Sequence, residues 1–414
     1  MRPLARPPTV ISRARTAAAD AAQRSRGGSA GPCYSGGSAA SRFHETGRFL
    51  PLFPYFDAYR GESAGHTPRT SVIIPAHNAA ATLPLCLESV RRLGDPTIET
   101  IVVCDGCADN SAAVALRYGA RTIVQESREG PSYARNVGAL VARGEIFFFL
   151  DADCVLQPDA LELAVQALDA GEQVVFGSYT AETRAPGFFS QFKNLQHHFT
   201  HQNASRLQTS FWSGCGAITR QAFEDLGGFD VALTYCEDVE LGYALTQRGY
   251  RVRLLESMQV EHLKRYTLSR LLRSDLFGRA IPWTRLARAN RAELGKLNTR
   301  PGGKRSVACT GMAWMTLAGW LVEPEIFAPA FALCSGGALT FNRKFLAFVL
   351  RLRGWAFAAG SALTLLAHFS VAGLGFVLGH LAPRYPAERT PAPRYRWAEK
   401  GRQGNGAVAA AKSS

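Results

Sequence analysis

The stretch GEIFFFLDADCVLQPDAL, residues 144–161, contains an apolar run that stops at two carboxylates. Ile146 to Leu150 come directly before Asp151 and Asp153, and a single alanine separates the two acids. An apolar run of this length is typical of a strand that is buried on both faces of a sheet. The two acids repel each other, and a shared divalent cation would offset the repulsion because carboxylate oxygens bind Mg²⁺ or Mn²⁺. The alternative is that Asp153 caps a following turn or helix.

Strands and helices alternate around this stretch. Strands are predicted at TSVIIPA, ETIVVCDG and ARTIVQE, and helices at AATLPLCLESVRRL, NSAAVALRYG and PSYARNVGALVARG. Such alternation indicates βαβ units, which build a mostly parallel sheet with helices on both faces. The predicted fold class is therefore α/β and Rossmann-like.

Polar residues follow three of the predicted strands. In an open parallel sheet, ligands bind beyond the carboxyl ends of the strands. Three segments are expected to meet at that edge, namely Pro75-Ala76-His77, Asp105, and Asp151 with Asp153. The sequence therefore predicts a binding site there.

The chain is basic, with 47 Lys plus Arg against 33 Asp plus Glu and a formal charge of +14. Such an excess favours anionic partners, which include phosphates, nucleic acid and acidic lipid. Two segments carry much of it, residues 1–60 with nine Arg and three acids and residues 251–305 with fourteen Lys or Arg and four acids. The sequence carries no nucleic-acid-binding motif, so nucleic acid is not expected as a partner.

The cysteines do not form a disulfide framework. Their number, nine, is odd and their spacing is irregular, which is typical of a reducing compartment. Cys104 and Cys107 have C-x-x-C spacing, but no second pair follows at zinc spacing. A metal or redox role for this pair is therefore not favoured.

The C-terminal third is apolar. Residues 307–322 and 326–341 carry no charge, and a longer uncharged run covers 355–382. About twenty apolar residues span a bilayer, so the last run is long enough and the first two are marginal. We expect membrane helices within 306–382; the alternative is a second soluble domain of buried helices.

The remaining segments are polar or mixed. Residues 1–60 are predicted to be a basic disordered extension and 383–414 a disordered tail. Residues 266–305 mix cations with Leu, Phe and Trp, which predicts a basic amphipathic segment at an anionic membrane surface. We expect a membrane protein whose α/β domain, residues 70–265, lies on the cytoplasmic side.

Four blocks in order carry a resemblance to a known family. SVIIPAHNAAATLPLCLESV, VVCDGCADNS, EGPSYARNVGALVARGEIFFFLDADC and GGFDVALTYCEDVELGYALTQRGYRV resemble the signature blocks of family 2 glycosyltransferases with the GT-A fold. The likeness covers roughly residues 70–265. The apolar C-terminal part of the chain resembles the hydrophobic tails of membrane-bound bacterial members. It implies an inverting enzyme that moves a sugar from a nucleoside diphosphate to an acceptor.

The resemblance also implies roles for individual residues. Asp151 and Asp153 match the metal- and diphosphate-binding pair, and His262 lies where some members have a further metal or diphosphate contact. The loop at Pro75, Ala76 and His77 would lie against the nucleoside, Asp105 would contact its base, and Arg135 would lie near the phosphates. Asp238 matches the general base, with Glu237 beside it. Cys104 departs from the pattern, because the family usually has an acid there.

Several of these residues have simpler explanations. Glu237 and Asp238 could cap a helix, since acids favour a helix N-terminus. Arg135 could be a solvated helix residue, and His262 a structural one. Gly214 in FWSGCGAITR could let the backbone pass close to a sugar or acceptor, or could sit in a plain turn.

The leading interpretation is a glycosyltransferase that uses Mn²⁺ or Mg²⁺, a nucleoside diphosphate sugar, and a membrane lipid, lipid-linked glycan, polyprenyl phosphate or polysaccharide as acceptor. A nucleotidyltransferase could share such a sheet and acidic metal site, but it has no need of the late GGFD…ED block. A catalytically silent membrane scaffold of the same fold is a third interpretation, against which Asp151, Asp153 and Asp238 argue.

Overall fold

A computed structural model describes residues 56–58, 67–289, 301–320 and 322–386 of the chain. Most of the two segments predicted to be disordered, 1–60 and 383–414, lies outside these residues.

The described strands form one ten-stranded mixed sheet. They are β1 (Phe56–Ala58), β2 (Thr70–Ala76), β3 (Ile98–Asp105), β4 (Arg121–Gln125), β5 (Ile146–Leu150), β6 (Cys154–Leu156), β7 (Val174–Tyr179), β8 (Leu207–Gln208), β9 (Cys215–Thr219) and β10 (Val252–His262). Their order is β1-β4-β3-β2-β5-β9-β7-β10-β6, and β8 pairs with β10.

Helices connect and cover the strands. The helices of the sheet domain are α1 (Leu83–Arg91), α2 (Ser111–Arg117), α3 (Pro131–Val141), α4 (Ala160–Asp169), α5 (Phe188–Gln202), α6 (Arg220–Leu226) and α7 (Glu237–Gln247). After β10 come α8 (Leu268–Asp275), a π-helical segment (Leu276–Ala280), α9 (Ile281–Arg288), α10 (Pro301–Trp320), α11 (Pro324–Thr340) and α12 (Arg343–Leu381).

The direction of the strands places many loops at one edge. Strands β4, β3, β2 and β5 are parallel, and β9 runs antiparallel between β5 and β7. Because β9 is antiparallel to both β5 and β7, strand β7 points the same way as β5. Strand β10 is parallel to β7 and so has this direction too. The carboxyl ends of β2, β3, β4, β5, β7 and β10 therefore lie at one edge, which is where ligands bind in such sheets. The α/β prediction is confirmed, and the sheet is parallel from β4 to β5 and mixed elsewhere.

Both faces of β5 are buried, as its apolar run predicts. Phe148 packs into the core on one face, whereas Phe147 and Phe149 pack into the core on the other. The ring of Phe149 meets that of Phe229 edge-on at 5.2 Å between centroids. Burial of each such ring stabilises the fold by roughly 1.5–3 kcal/mol, which explains why β5 contains no polar residue.

One short strand lies where sequence predicts disorder. Phe56–Ala58 pairs antiparallel with the outer edge of β4, with Phe56 opposite Val124. The disorder predicted for residues 1–60 is therefore wrong for these three. The pairing satisfies backbone groups that an open edge strand would leave exposed.

The segment predicted to be interfacial packs along the last apolar helix. A side chain at Gly375 of α12 would contact Ala280, and one at Gly379 would contact Thr284 of α9. Arg288 donates hydrogen bonds to the carbonyl oxygens of Gly379 and Ala382 at 2.8 and 2.9 Å. These small residues let α12 lie close against α9 and the π-helical segment.

Among the described residues, one helix is long and apolar enough to cross a membrane, Arg343–Leu381. Gly354 interrupts its helical geometry with φ 80° and ψ 176°. Large apolar side chains lie exposed on α10, α11 and α12, including Met315 at 68%, Leu333 at 77% and Trp355 at 79%. Helices that expose such side chains are unusual in water.

Candidate active site

Two adjoining cavities lie at the carboxyl edge of the sheet. The first has a volume of about 800 Å³, and its lining includes Pro75, Ala76, His77, Asp105, Asp151 and Asp153. The second has a volume of about 620 Å³, and its lining includes Tyr179, His197, Trp212, Asp238, Arg279 and Trp283. Five residues line both: Arg128, Pro131, Arg135, Asp151 and Glu237. The structure therefore brings the predicted residues of three strand ends into one cavity and places Asp238 in the neighbouring one.

Arg135 lies at the boundary between the cavities. Its side chain is only 5% exposed, so it is not a solvated helix residue. Nη2 donates to Oδ1 of Asp151 at 2.7 Å, and Nη1 donates to Oε1 of Glu237 at 2.8 Å. The guanidinium also lies over the ring of Phe229, 5.4 Å from its centroid. Arg135 thus holds two carboxylates in place, while a contact with phosphates stays a prediction.

Asp153, Cys154 and His262 form a cluster whose possible metal ligands lie within 4.8 Å of one another. Nε2 of His262 lies 3.6 Å from Oδ2 of Asp153, because β10 and β6 pair with His262 opposite Cys154. Burial opposes ionisation of Asp153, but His262 and Lys264 hold its pKa down at about 2. Burial raises the pKa of the Cys154 thiol well above its usual value, so this sulfur stays protonated.

Asp105 and His77 connect three loops. The two carboxylate oxygens of Asp105 accept hydrogen bonds from the backbone N–H groups of Glu129 and Gly130 at 2.7 and 2.9 Å. Nδ1 of His77 donates to the carbonyl oxygen of Asp105 at 2.6 Å. Burial raises the pKa of Asp105, and the two backbone hydrogen bonds oppose that shift. Asp105 therefore positions the loop before α3; contact with a base stays a prediction.

Glu237 and Asp238 begin α7, directly after a backbone turn at Cys236. Cys236 has φ 59°, in the left-handed region that residues other than glycine rarely adopt. Conformations of this kind cost energy and are concentrated at functional sites. Burial raises the pKa of Asp238 to about 7, and the charge of neighbouring Glu237 adds to the shift.

Gly214 packs against the indole ring of Trp212. A Cβ atom at this position would lie 2.6 Å from the indole of Trp212. The carbonyl oxygen of Gly214 accepts a hydrogen bond from the backbone N–H of Asp151. Trp212 lines the second cavity, and Gly214 lines neither. The glycine is needed for the position of Trp212, and an approach of its backbone to a substrate stays a prediction.

Sequence reasoning missed five cations that line the cavities. Arg128 lines both, Arg184, Lys264 and Arg265 line the first, and Arg279 lines the second. Arg128 follows β4, and Lys264 and Arg265 follow β10, so the strand-end rule applied to every strand finds these three. Arg279 lies on the π-helical segment after α8, and no sequence motif marks it.

Comparison with known proteins links residues 71–227 to one family model, described as glycosyl transferase family 2. An uncharacterized glycosyltransferase of Haemophilus influenzae is 27% identical over 184 residues, which cover 43% of this chain and 62% of that protein. Glycosyltransferase GlyG of Streptococcus pneumoniae is 30% identical over 125 residues, which cover 29% of this chain and 42% of that protein. The chain therefore spans less than two thirds of the length of these relatives.

Among solved structures, the chain is similar to the mannosyltransferase PcManGT of Pyrobaculum calidifontis, determined in complex with GDP-Man and Mn²⁺. The two are 20% identical and superpose with a TM-score of 0.45, covering 75% of this chain and 88% of that one.

Proposed function

Residues 71–227 form a family 2 glycosyltransferase domain, and we propose that this protein transfers a sugar from a nucleoside diphosphate to a membrane-proximal acceptor with inversion at the anomeric carbon. One observation carries the proposal. The acidic pair Asp151 and Asp153 lines one cavity, Asp238 lines the next, and Arg135 joins Asp151 to Glu237 between them. Inverting transfer needs this separation, because the base must act on the face opposite the leaving group.

A divalent cation, Mn²⁺ or Mg²⁺, fits the first cavity. Asp151, Asp153 and His262 would hold it, since carboxylate oxygen and imidazole nitrogen are ligands that Mn²⁺ accepts. Asp153 and His262 already lie together, and Arg135 uses only one oxygen of Asp151. When bound, the cation neutralises charge that develops on the leaving diphosphate.

The first cavity also suits the rest of the donor. Arg128, Lys264 and Arg265 bring positive charge to its lining and would bind the diphosphate. Pro75, Ala76, His77 and Asp105 lie along the same cavity and would contact the nucleoside.

Asp238 is the proposed general base. A base works best when its pKa is near the working pH, and burial raises that of Asp238 to about 7. In the proposed step, the acceptor hydroxyl gives its proton to the Asp238 carboxylate as its oxygen attacks the anomeric carbon. The bond from that carbon to the diphosphate oxygen breaks, and the nucleoside diphosphate leaves with the electron pair.

Helix α12 is the one described helix with the length and hydropathy of a membrane span, and the shorter helices α10 and α11 support a membrane location through exposed apolar side chains such as Met315 and Leu333. Helices α10 and α11 form a hairpin whose open end is joined by hydrogen bonds from Ser306 to Ala338 and from Asn342 to Ser306. Lys304, Arg305, Arg343 and Lys344 lie at that end, whereas Glu323 and Glu325 lie at the tip. Cytoplasmic ends of membrane helices are enriched in Lys and Arg, so we propose that the open end and the adjoining catalytic domain are cytoplasmic.

A thermal-shift panel tests the donor chemistry. UDP-, GDP- and dTDP-sugars are added to the full chain with and without Mn²⁺, because a ligand that binds the folded state raises the Tm. We expect one class of donor to raise the Tm only when Mn²⁺ is present. If no nucleotide sugar changes the Tm under either condition, the proposed function is wrong.

A further inference from the structure

The second cavity contains a cation without a bonded partner. Among the described residues, the guanidinium of Arg279 has no hydrogen bond or ion pair. The titratable groups near Arg279 include Asp275, Tyr266, Tyr179 and Cys236, and also the cationic or basic groups of Lys193, His197 and Lys264. Of these, Asp275 is the carboxylate, and its two oxygens bind Lys193 and His368, each at 2.7 Å.

Among the described residues, Arg279 therefore brings a positive charge that makes no hydrogen bond or ion pair, and the charge of Asp275 favours its protonated form. Arg279 is half-buried, so solvent screens its charge less than that of an exposed side chain. Guanidinium groups bind phosphate well because their donors match the spacing of phosphate oxygens. The second cavity is thus suited to an anion.

Three further polar groups of the same lining have no hydrogen-bond partner within the described part of the chain. They are the buried atoms Nε2 of His197, Oγ of Ser210 and Nε1 of Trp283. His197 is only 8% exposed, and burial together with the charge of Arg279 lowers its pKa well below the usual value. Nearly all buried polar atoms in native proteins are paired with protein or with water, so these groups are suited to bind water or the oxygen atoms of a ligand.

Arg279 also lies beside the apolar helices. It belongs to the π-helical segment Leu276–Ala280, and π-helical turns are frequent at functional sites. Ala280 of this segment packs against Gly375 of α12, and Phe277 is 52% exposed. A ligand whose anionic group binds Arg279 therefore has apolar surface next to it, which suits a lipid chain.

We propose that the second cavity binds a lipid-linked sugar as acceptor, with the phosphate of the lipid linkage paired to Arg279 and a sugar hydroxyl next to Asp238. This rests on the proposed function and selects one acceptor class within it. A volume of about 620 Å³ lies within the usual range for small-molecule sites. Tyr179, Trp212 and Trp283 supply flat apolar surface for a sugar ring.

Direct binding to the full chain in detergent tests this. The probes are farnesyl glucosyl phosphate, farnesyl glucoside, which lacks the phosphate, and glucose 1-phosphate, which lacks the lipid. The wild type should bind the first about tenfold or more tighter than either of the others, the difference expected for one charge-assisted contact or for partial burial of the lipid. Arg279→Gln should bind farnesyl glucosyl phosphate and farnesyl glucoside about equally.

Arg273→Gln is the matched control, because Arg273 lies on the same stretch, is exposed and lines neither cavity. The Arg273 variant should keep the wild-type preference for farnesyl glucosyl phosphate over farnesyl glucoside. Arg279→Lys, which retains the positive charge, should keep part of this preference and tests the site even if Arg279→Gln fails to fold. A wild type without preference for the phosphate, or an equal loss in the Arg273 variant, overturns the inference. Glucose 1-phosphate binding as tightly as the lipid form overturns the lipid part. Absence of nucleotide-sugar binding overturns the proposed function, and the probe binding shows separately whether the phosphate site exists.

Discussion

Nη2 of Arg135 lies 2.7 Å from Oδ1 of Asp151, and the other terminal nitrogen of the same guanidinium lies 2.8 Å from Glu237. One buried cation therefore joins the end of β5 to the start of α7. Arg135 thereby fixes the position of the proposed metal-binding pair, Asp151 and Asp153, relative to the proposed base, Asp238, which follows Glu237. Arg135 therefore acts as a positioning residue.

Replacement of Arg135 by Leu should destabilise the fold. It would leave Glu237, 10% exposed, and Asp151 without their cation, and breaking a buried pair in this way costs roughly 3–5 kcal/mol. Urea unfolding measures the change. Arg91→Leu is the control, since the Arg91 side chain is 65% exposed and pairs with Glu88 at the surface, where a loss of about 0.5 kcal/mol is expected. Equal losses in the two variants would show that the buried pair has no special role.

Asp151→Asn and Asp153→Asn should each abolish sugar transfer and Mn²⁺-dependent donor binding, because an amide binds a divalent cation more weakly than a carboxylate. The measurements are turnover and donor Kd with and without Mn²⁺. Asp159→Asn is the control, since Asp159 is exposed at the start of α4 and lines neither cavity. Unchanged turnover in both test variants would rule out the metal site.

Asp238→Asn should lower kcat on the order of 10²-fold or more, because the amide cannot accept the proton. Donor Kd should stay near the wild-type value, since Asp238 does not line the first cavity. Glu237→Gln should lower kcat less, through a weaker hold on Arg135. A larger loss of kcat in the Glu237 variant would transfer the role of base to Glu237, and loss of donor binding in the Asp238 variant would assign Asp238 to the metal or diphosphate site.

The pKa of Asp238, about 7 in the folded protein, predicts opposite pH effects on activity and stability. The base acts when deprotonated, so kcat should rise with pH through about 7. An unfolded Asp has a pKa of about 3.9, so between that pH and 7 the folded state binds more protons than the unfolded state. The stability that this protonated group contributes is therefore lost as pH rises towards 7.

Asp238→Asn should remove that pH-dependent loss. Its Tm should exceed that of the wild type at pH 8, and the difference should shrink as the pH falls towards 4. Thermal unfolding at several pH values measures it. A difference in Tm that does not depend on pH would contradict the raised pKa.

The hairpin of α10 and α11 gives a test of membrane sidedness. Glu323→Cys, at the tip, should react with a membrane-impermeant maleimide in intact cells, whereas Lys304→Cys, at the open end, should react only after the cells are made permeable. Labelling of the unchanged chain is the control, because it measures the reaction of the nine native cysteines with the maleimide. The reverse pattern would place the catalytic domain outside, and equal labelling of both in intact cells would exclude a membrane-spanning hairpin.

The sequence determined the α/β class, the family, and the strand ends that meet at one edge. The class is confirmed, residues 71–227 match the family model, and the roles of the individual site residues stay predictions. These features can be read locally because strand and helix periods depend on neighbouring residues, and because parallel strands always place their carboxyl ends together. The apolar run from Ile146 to Leu150 and the acids after it are the clearest example.

Only the tertiary structure decided which side chains meet. Arg135 and Glu237 are 102 positions apart, and their contact depends on how α3 and α7 pack on the same face of the sheet. The antiparallel insertion of β9, the strand at Phe56–Ala58 and the position of Arg279 in a cavity likewise have no local signal. Each depends on contacts between distant segments, and only the folded chain brings those segments together.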